Sequence, residues 1–181
     1  ESLLEISVVR AKIVIKDVEH ERLNSKTYYI RIKNFWEHVD SDFRWALEWV
    51  LSESSTNKII FDLRNNPGGY LWEVSKMLSY FVAEWDSTAI VDNGNREIKY
   101  KSVWYDLIDL SKYELVFLQN GWSASASEIM IGTVKDYFPG TVIIGEQSFG
   151  KWSVQSLKSY SDGSTLKYTS AKWFTGSTKQ G

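Results

Sequence analysis

Two short apolar runs, residues 58–64 and 115–118, each end in an asparagine-and-glycine turn and then give way to helical spacing. Such runs, apolar with little alternation, belong in the interior of a parallel sheet. Parallel neighbours need a long crossover, usually a helix. After the first run comes Asn65-Asn66-Pro67-Gly68-Gly69, then Leu71, Val74, Met77, Leu78, Phe81 and Val82 at helical intervals. After the second come Asn120-Gly121, a helix over 123–137 and a further buried strand over 141–145. Strand, helix, strand, helix, strand predicts an α/β fold with a central β-sheet flanked by helices.

The remaining elements fit around that unit. Residues 6–18 alternate as a strand, residues 17–25 read as a polar loop carrying His20, and residues 28–32 form a second strand. Asp40-Ser41 marks a helix start, with Val39, Phe43, Leu47 and Val50 on one face. Residues 89–91 and 97–102 suit a hairpin around Asp92-Asn93-Gly94-Asn95. Alternation over 154–157 and 166–174, with a turn at Ser161-Asp162-Gly163, adds C-terminal β-strands. No internal repeat or linker divides the chain. Nine tryptophans are expected mostly to fill or cover the core.

Composition excludes several classes of function. With 43% hydrophobic and 24% charged residues the chain resembles an ordinary globular domain rather than a disordered segment. No apolar stretch approaches the ~20 residues of a membrane-spanning helix. A net charge of −2, from 21 basic and 23 acidic residues interspersed, leaves no basic footprint for nucleic acid. The absence of cysteine removes disulfides, thiolate metal sites and cysteine nucleophiles. With only two histidines, His20 and His38, no metal site is expected. The chain starts at Glu1 and stops in Thr178-Lys179-Gln180-Gly181, which reads as a piece of a longer precursor.

Both turns are chemically suggestive. In open α/β sheets, ligands gather at the carboxyl ends of strands, where loops lead into helix N-termini. Gly68-Gly69 lets backbone approach a ligand closely and leaves amides free for a developing anion, although a glycine turn after a strand is commonly only a turn. Ser123-Ala124-Ser125-Ala126-Ser127-Glu128 follows a strand and opens a helix, in the manner of a nucleophile elbow. Ser123 as a helix cap, with Ser127 or Glu128 in the first turn, is the plainer reading of part of it. A serine nucleophile needs a base. Lys151, after the strand at 141–145, is a candidate, with Phe149, Trp152 and Val154 as apolar surroundings. A lysine serves as a base only in its neutral form, which desolvation favours; otherwise it is a solvated surface charge.

Three blocks resemble the signatures of the carboxyl-terminal processing peptidases, or tail-specific proteases, serine endopeptidases with a Ser/Lys dyad. They are Asp62-Leu63-Arg64-Asn65-Asn66-Pro67-Gly68-Gly69, Ser123-Ala124-Ser125-Ala126-Ser127-Glu128, and residues 145–155 from Gly145 through Gly150-Lys151-Trp152 to Gln155. The resemblance runs from about Ile13 to the end. It implies a crotonase-like fold, Ser125 as nucleophile, Lys151 as general base and Gln155 orienting the lysine amine. The amide of Ala126, with that of Gly68 or Gly69, would form the oxyanion hole. Asp136 matches an acidic position that only some members need, and is read as structural. The resemblance also implies residues 1–18 as the end of a PDZ-like segment with its return strand, and 19–181 as the protease core. Its partners are then a polypeptide substrate cleaved near its C-terminus and a PDZ domain; an extracytoplasmic location follows, and no cofactor is required. Oligomeric state is not implied.

Two bulky residues depart from the pattern. Trp122 stands where a small residue is common, and Trp152 where glycine usually follows the lysine; either ring would shield the lysine, narrow the cleft or block it. One residue more than usual separates Ser125 from Lys151, at the Phe138-Pro139-Gly140 turn. A non-hydrolysing peptide-binding module on the same fold is the alternative. An acyl-CoA enzyme of crotonase type shares the fold but leaves Ser125, Lys151 and Gln155 without a task.

Overall fold

A computed structural model describes residues 16–103 and 108–177. The strand expected before Val18, and most of the segment 1–18, lie outside them. The first sheet has the order β1-β2-β3-β6-β7. Its strands are β1 (Val18–Asn24), β2 (Thr27–Ile32), β3 (Lys58–Asp62), β6 (Glu114–Gln119) and β7 (Val142–Gly145). β1 runs antiparallel to β2, and the other pairs are parallel. The second sheet is antiparallel, in the order β5-β4-β9-β8, from β4 (Ser87–Asp92), β5 (Glu97–Lys101), β8 (Ser153–Ser159) and β9 (Thr165–Thr175). The α/β reading holds, but the C-terminal strands join the β4–β5 hairpin in a sheet of their own.

Three helices, α1 (Val39–Ser52), α2 (Leu71–Leu78) and α3 (Ala126–Tyr137), pack on one another. α1 lies against β1 and β2, while α2 and α3 lie against strands of the second sheet. The helical stripe works as its spacing predicts: Val39, Phe43, Leu47 and Val50 are all buried. Burying one such side chain contributes about 1.5–3 kcal/mol. At the centre Phe43, Phe61, Phe81 and Phe117 stack with ring centroids 5.0–6.2 Å apart.

Three expectations need correction. Residues 17–25 are mostly strand, not loop: β1 pairs with β2, and its polar side chains, His20 among them, face outward or half outward. β7 is not a buried strand. It is a sheet edge, and Val142, Ile143 and Ile144 are exposed because no described element packs over them. Tryptophan does not build the interior: Trp36, Trp45, Trp49, Trp72, Trp85, Trp122 and Trp152 are all exposed, and phenylalanine and aliphatic residues form the core instead.

Candidate active site

The sheet order brings the site together. β3, β6 and β7 are adjacent and parallel, with Asp62 beside Leu118 and Leu118 beside Ile144. Their carboxyl ends therefore deliver three loops to one edge: residues 63–70, 120–125 and 146–152.

The first two loops are zipped together. Asn65 N–H donates to Asn120 Oδ1 at 3.0 Å, and Asn120 Nδ2 donates to Asn65 Oδ1 at 2.9 Å. Ser123, fully buried, donates its hydroxyl to the Leu63 carbonyl at 2.8 Å. Asn66 is the knot. Its side chain donates to the Ile32 carbonyl and accepts from Gly68 N–H, and its carbonyl accepts from Ala124 N–H and the Ser127 hydroxyl, all at 2.9–3.0 Å. Ser123 and Ser127 are thus structural. The helix begins three residues later than its composition suggests, with Ser125 rather than Ser123 at the N-cap.

Ser125 has φ 57° and ψ −113°, a conformation that costs a non-glycine residue about 1–3 kcal/mol. The glycine turn presses against it. A Cβ added at Gly68, where φ is +97°, would stand 2.7 Å from the Ala124 carbonyl oxygen and 2.9 Å from Ala126 N. One on Gly69 would stand 2.4 Å from the Phe35 carbonyl oxygen. Gly68 N–H is engaged by Asn66, whereas the amides of Gly69 and Ala126, residues that both line one cavity, have no hydrogen-bond partner among the described residues.

The lysine loop is held through Glu128, a residue the sequence suggested only as a capping partner. Its carboxylate accepts from Ser125 N–H at 2.7 Å, Ser148 Oγ at 2.8 Å, Gly150 N–H at 2.6 Å and Lys151 N–H at 2.9 Å. Further, Phe149 N–H donates to the Ser123 carbonyl, and Trp173 Nε1 donates to the Lys151 carbonyl at 2.9 Å. Gln155 Nε2 donates to Thr169 Oγ1 at 2.8 Å and to Ser153 Oγ at 3.3 Å. Nothing in the spacing distinguished Asn66, Glu128 or Trp173 from ordinary turn, cap and core residues.

One cavity of about 360 Å³ is lined by Ser125, Ala126, Gly69, Lys151 and Gln155 together. No direct hydrogen bond joins Ser125 Oγ to Lys151 Nζ among the described residues, and such contacts are often long before substrate arrives. Gly68 does not line the cavity. Asp136 is exposed on the last turn of α3 and does not line the cavity. His20 bonds Tyr28, His38 precedes α1, and neither lines the cavity either. Phe149 and Trp152 are exposed and do not line the cavity; Trp152 packs beneath Lys172, whose Nζ is 4.6 Å from the ring centroid. Trp122 is 70% exposed, so neither departing tryptophan blocks the cavity.

Beside the first loop, buried Asp62 accepts from Tyr29 Oη at 2.6 Å and from Arg64 through both carboxylate oxygens. Burial opposes ionisation of Asp62, but the hydrogen bonds from Arg64 and Tyr29 outweigh it and hold its carboxyl below the usual range. Burial, then the Asp62 bond, pushes the Tyr29 phenol up to about 12.

The sequence pattern of peptidase family S41 matches residues 26–180. The chain belongs to peptidase family S41. A probable CtpA-like serine protease of Staphylococcus epidermidis is 33% identical over 171 residues, covering 94% of this chain and 34% of that protein. The chain thus spans about a third of the length of that relative. Among solved structures, the photosystem II D1 C-terminal processing protease superposes with a TM-score of 0.76 at 24% identity, covering 92% of this chain and 46% of that one. A lipoprotein from Streptococcus agalactiae gives 0.68 at 19% identity, covering 87% and 59%. These two likenesses carry the fold alone.

Proposed function

We propose that the protein is the core of a serine endopeptidase of crotonase-like fold that cleaves polypeptides near their carboxyl termini. The observation that carries this reading is the convergence of Ser125, on a strained turn beside two unengaged amides, with Lys151 and Gln155 around one cavity. Neutral Lys151 Nζ accepts the Ser125 hydroxyl proton as Oγ attacks the scissile carbonyl. Gly69 and Ala126 N–H donate to the tetrahedral oxyanion; losing one such donor typically costs ~2.7–4 kcal/mol. The lysine ammonium then protonates the leaving amine, the C–N bond breaks, and an acyl-serine ester remains. Water, deprotonated by the same amine, hydrolyses the ester and frees Ser125. With Gln155 Nε2 turned to Thr169, its Oε1 is the atom available to accept from Lys151 Nζ.

A PDZ-like domain that presents substrate tails belongs to this proposal, as does an extracytoplasmic location. The location is supported by the lipoprotein neighbour, and no described helix is long and apolar enough to cross a membrane. Asp136 has a structural place at most. A fluorophosphonate probe tests the chemistry. Labelling of Ser125 that disappears in Ser125→Ala and in Lys151→Ala supports the dyad. Saturable peptide binding without labelling or cleavage gives the non-hydrolysing module instead.

A further inference from the structure

The cavity beside Ser125 has walls that the proposed chemistry does not use. Its lining includes Trp36, Tyr70, Leu71, Trp72, Tyr100, Ile129, Val154 and Trp173. Three of these rings form a ledge at the mouth. Tyr70 stacks on Trp72 with centroids 4.0 Å apart, and Trp36 meets Tyr70 edge-on at 5.2 Å. The ledge is built by the site itself. Phe35 bridges to Gly69, Tyr70 N–H donates to the Phe35 carbonyl at 2.7 Å, and Phe35 N–H donates to the Gly68 carbonyl at 3.0 Å. The segment carrying Trp36 is therefore fixed to the same glycine turn that faces the serine.

Ledge rings at Trp36 and Trp72 remain about half exposed, at 50% and 47%. Aromatic surface left open at a concave site marks a place where an apolar group is to be covered. The charge inventory narrows the occupant. Among the described residues, and apart from tyrosine hydroxyls, Lys151 is the one ionisable side chain lining the cavity, and no carboxylate lines it. A carboxylate side chain would leave water to face aromatic rings, and a basic one would leave water without meeting a carboxylate among the described lining residues.

We propose that the Trp36–Tyr70–Trp72 ledge is a subsite that selects a large apolar side chain, aromatic or branched aliphatic, on the polypeptide bound across Ser125. The proposal rests on the peptidase reading for the direction of the chain, while the selection itself is a property of binding. An apolar side chain in the cavity is covered by the ledge together with Ile129, Val154 and Trp173. An alanine in its place leaves those rings wet, and even one methylene in such a pocket is worth about 10-fold or more.

The test uses Ser125→Ala protein, in which binding is measured without turnover. Alanine- and serine-based octapeptides carrying one guest residue, Phe, Leu, Ala, Lys or Glu, are titrated calorimetrically. Phe and Leu guests are expected to bind at least about fivefold more tightly than Ala, with Lys and Glu no tighter than Ala. Adding Trp72→Ala, checked for folding by circular dichroism, brings the Phe and Ala guests to within about twofold; Trp36→Ala gives a partial loss. Trp45→Ala, on α1 away from the cavity, keeps the preference. Equal affinities, no measurable binding of the Phe peptide, tightest binding of the Lys guest through cation–π contact, or a Phe preference that survives Trp72→Ala overturns the subsite. A Phe preference in a protein whose Ser125 takes no fluorophosphonate label and which cleaves no guest peptide overturns the peptidase reading and leaves the subsite standing.

Discussion

The serine junction and the lysine loop reach the same cavity by different physical means. Ser125 stands on backbone that is buried and cross-tied: Asn66, Ser123 and Ser127 join two neighbouring strand ends through groups with almost no solvent contact. Lys151 arrives on a loop whose residues 145–150 are exposed except for half-buried Ser148, beyond an edge strand with no described element packed over it. That loop is fixed chiefly by one carboxylate, Glu128, which also grips the serine's own amide. The serine is positioned by the core, and the lysine by a clamp that projects from the serine's helix. Disturbing the first should cost both stability and activity; disturbing the second should cost activity with the fold largely kept.

The sharpest break comes from the reacting groups. Ser125→Ala and Lys151→Ala should each lower kcat by about 10⁴-fold or more, with Tm nearly unchanged, in a peptide cleavage assay paired with calorimetry. Equal loss in the two variants is expected, since the residues act as a unit. Next, Gly68→Ala should lose both properties. The added methyl meets the Ala124 carbonyl and Ala126 amide at 2.7 and 2.9 Å. The positive φ alone costs about 1 kcal/mol or more, and retention of wild-type Tm would refute the close packing of the two turns.

Glu128→Gln separates the two regions most cleanly. It keeps the shape but replaces an acceptor oxygen with a donor facing N–H groups, which typically costs about 1.5–3 kcal/mol for a charged hydrogen bond. A kcat lowered by about 10–100-fold is expected, with native circular dichroism and faster hydrogen exchange at Gly150 and Lys151 than at Ala124. Exchange that rises equally at all three amides would mean that the clamp does not discriminate between them. Asn66→Ala should reverse the pattern, raising exchange at Ala124 and lowering Tm more than Glu128→Gln does.

The smallest effect concerns pH. A lowered Asp62 carboxyl contributes stability that is present above its ordinary value near 3.8 and is lost as pH falls through its folded value. Tyr29 acts at the other end: its raised phenol gives stability present below pH 10 and lost as pH rises towards about 12. Tyr29→Phe should therefore flatten the alkaline limb of a denaturation-against-pH curve. Asp62→Asn should flatten the acid limb while lowering stability at neutral pH, because Arg64 loses its partner.

What was legible beforehand follows the same division. The strands at 58–62 and 114–119 could be read from short apolar runs ended by turn residues, the α1 stripe from its helical spacing, and the β4–β5 hairpin from the turn at Asp92-Asn93-Gly94-Asn95. The polar strand β1 escaped notice, since a ladder of backbone hydrogen bonds needs no apolar side chain when its outer face meets water. Ile143 and Ile144 read as buried because an aliphatic run carries no sign of whether another layer covers it. Tryptophans misled for a related reason: a large ring is informative about contact, and at Trp36 and Trp72 the contact lies at a cleft rather than in the core. Ser125 and Lys151 line one cavity, and the blocks that carry them could be read from their neighbours' pattern. The ties made by Glu128 and Asn66 could not, because four hydrogen bonds converging on one side chain are a property of tertiary placement rather than of spacing.

The parallel order β3, β6, β7 has one last consequence, for how the molecule matures. The groups that line the candidate site, Gly69, Ser125 and Lys151, come from stretches of chain separated by α2, the β4–β5 hairpin and α3, so loop-closure entropy must be overcome more than once before they meet. No early local structure holds the candidate centre, and a half-folded chain of the proposed peptidase is spared cutting itself or its neighbours. Turnover should thus emerge only with the final, slowest phase of refolding, which makes catalysis a stricter reporter of completed assembly than any spectroscopic probe of helix or strand.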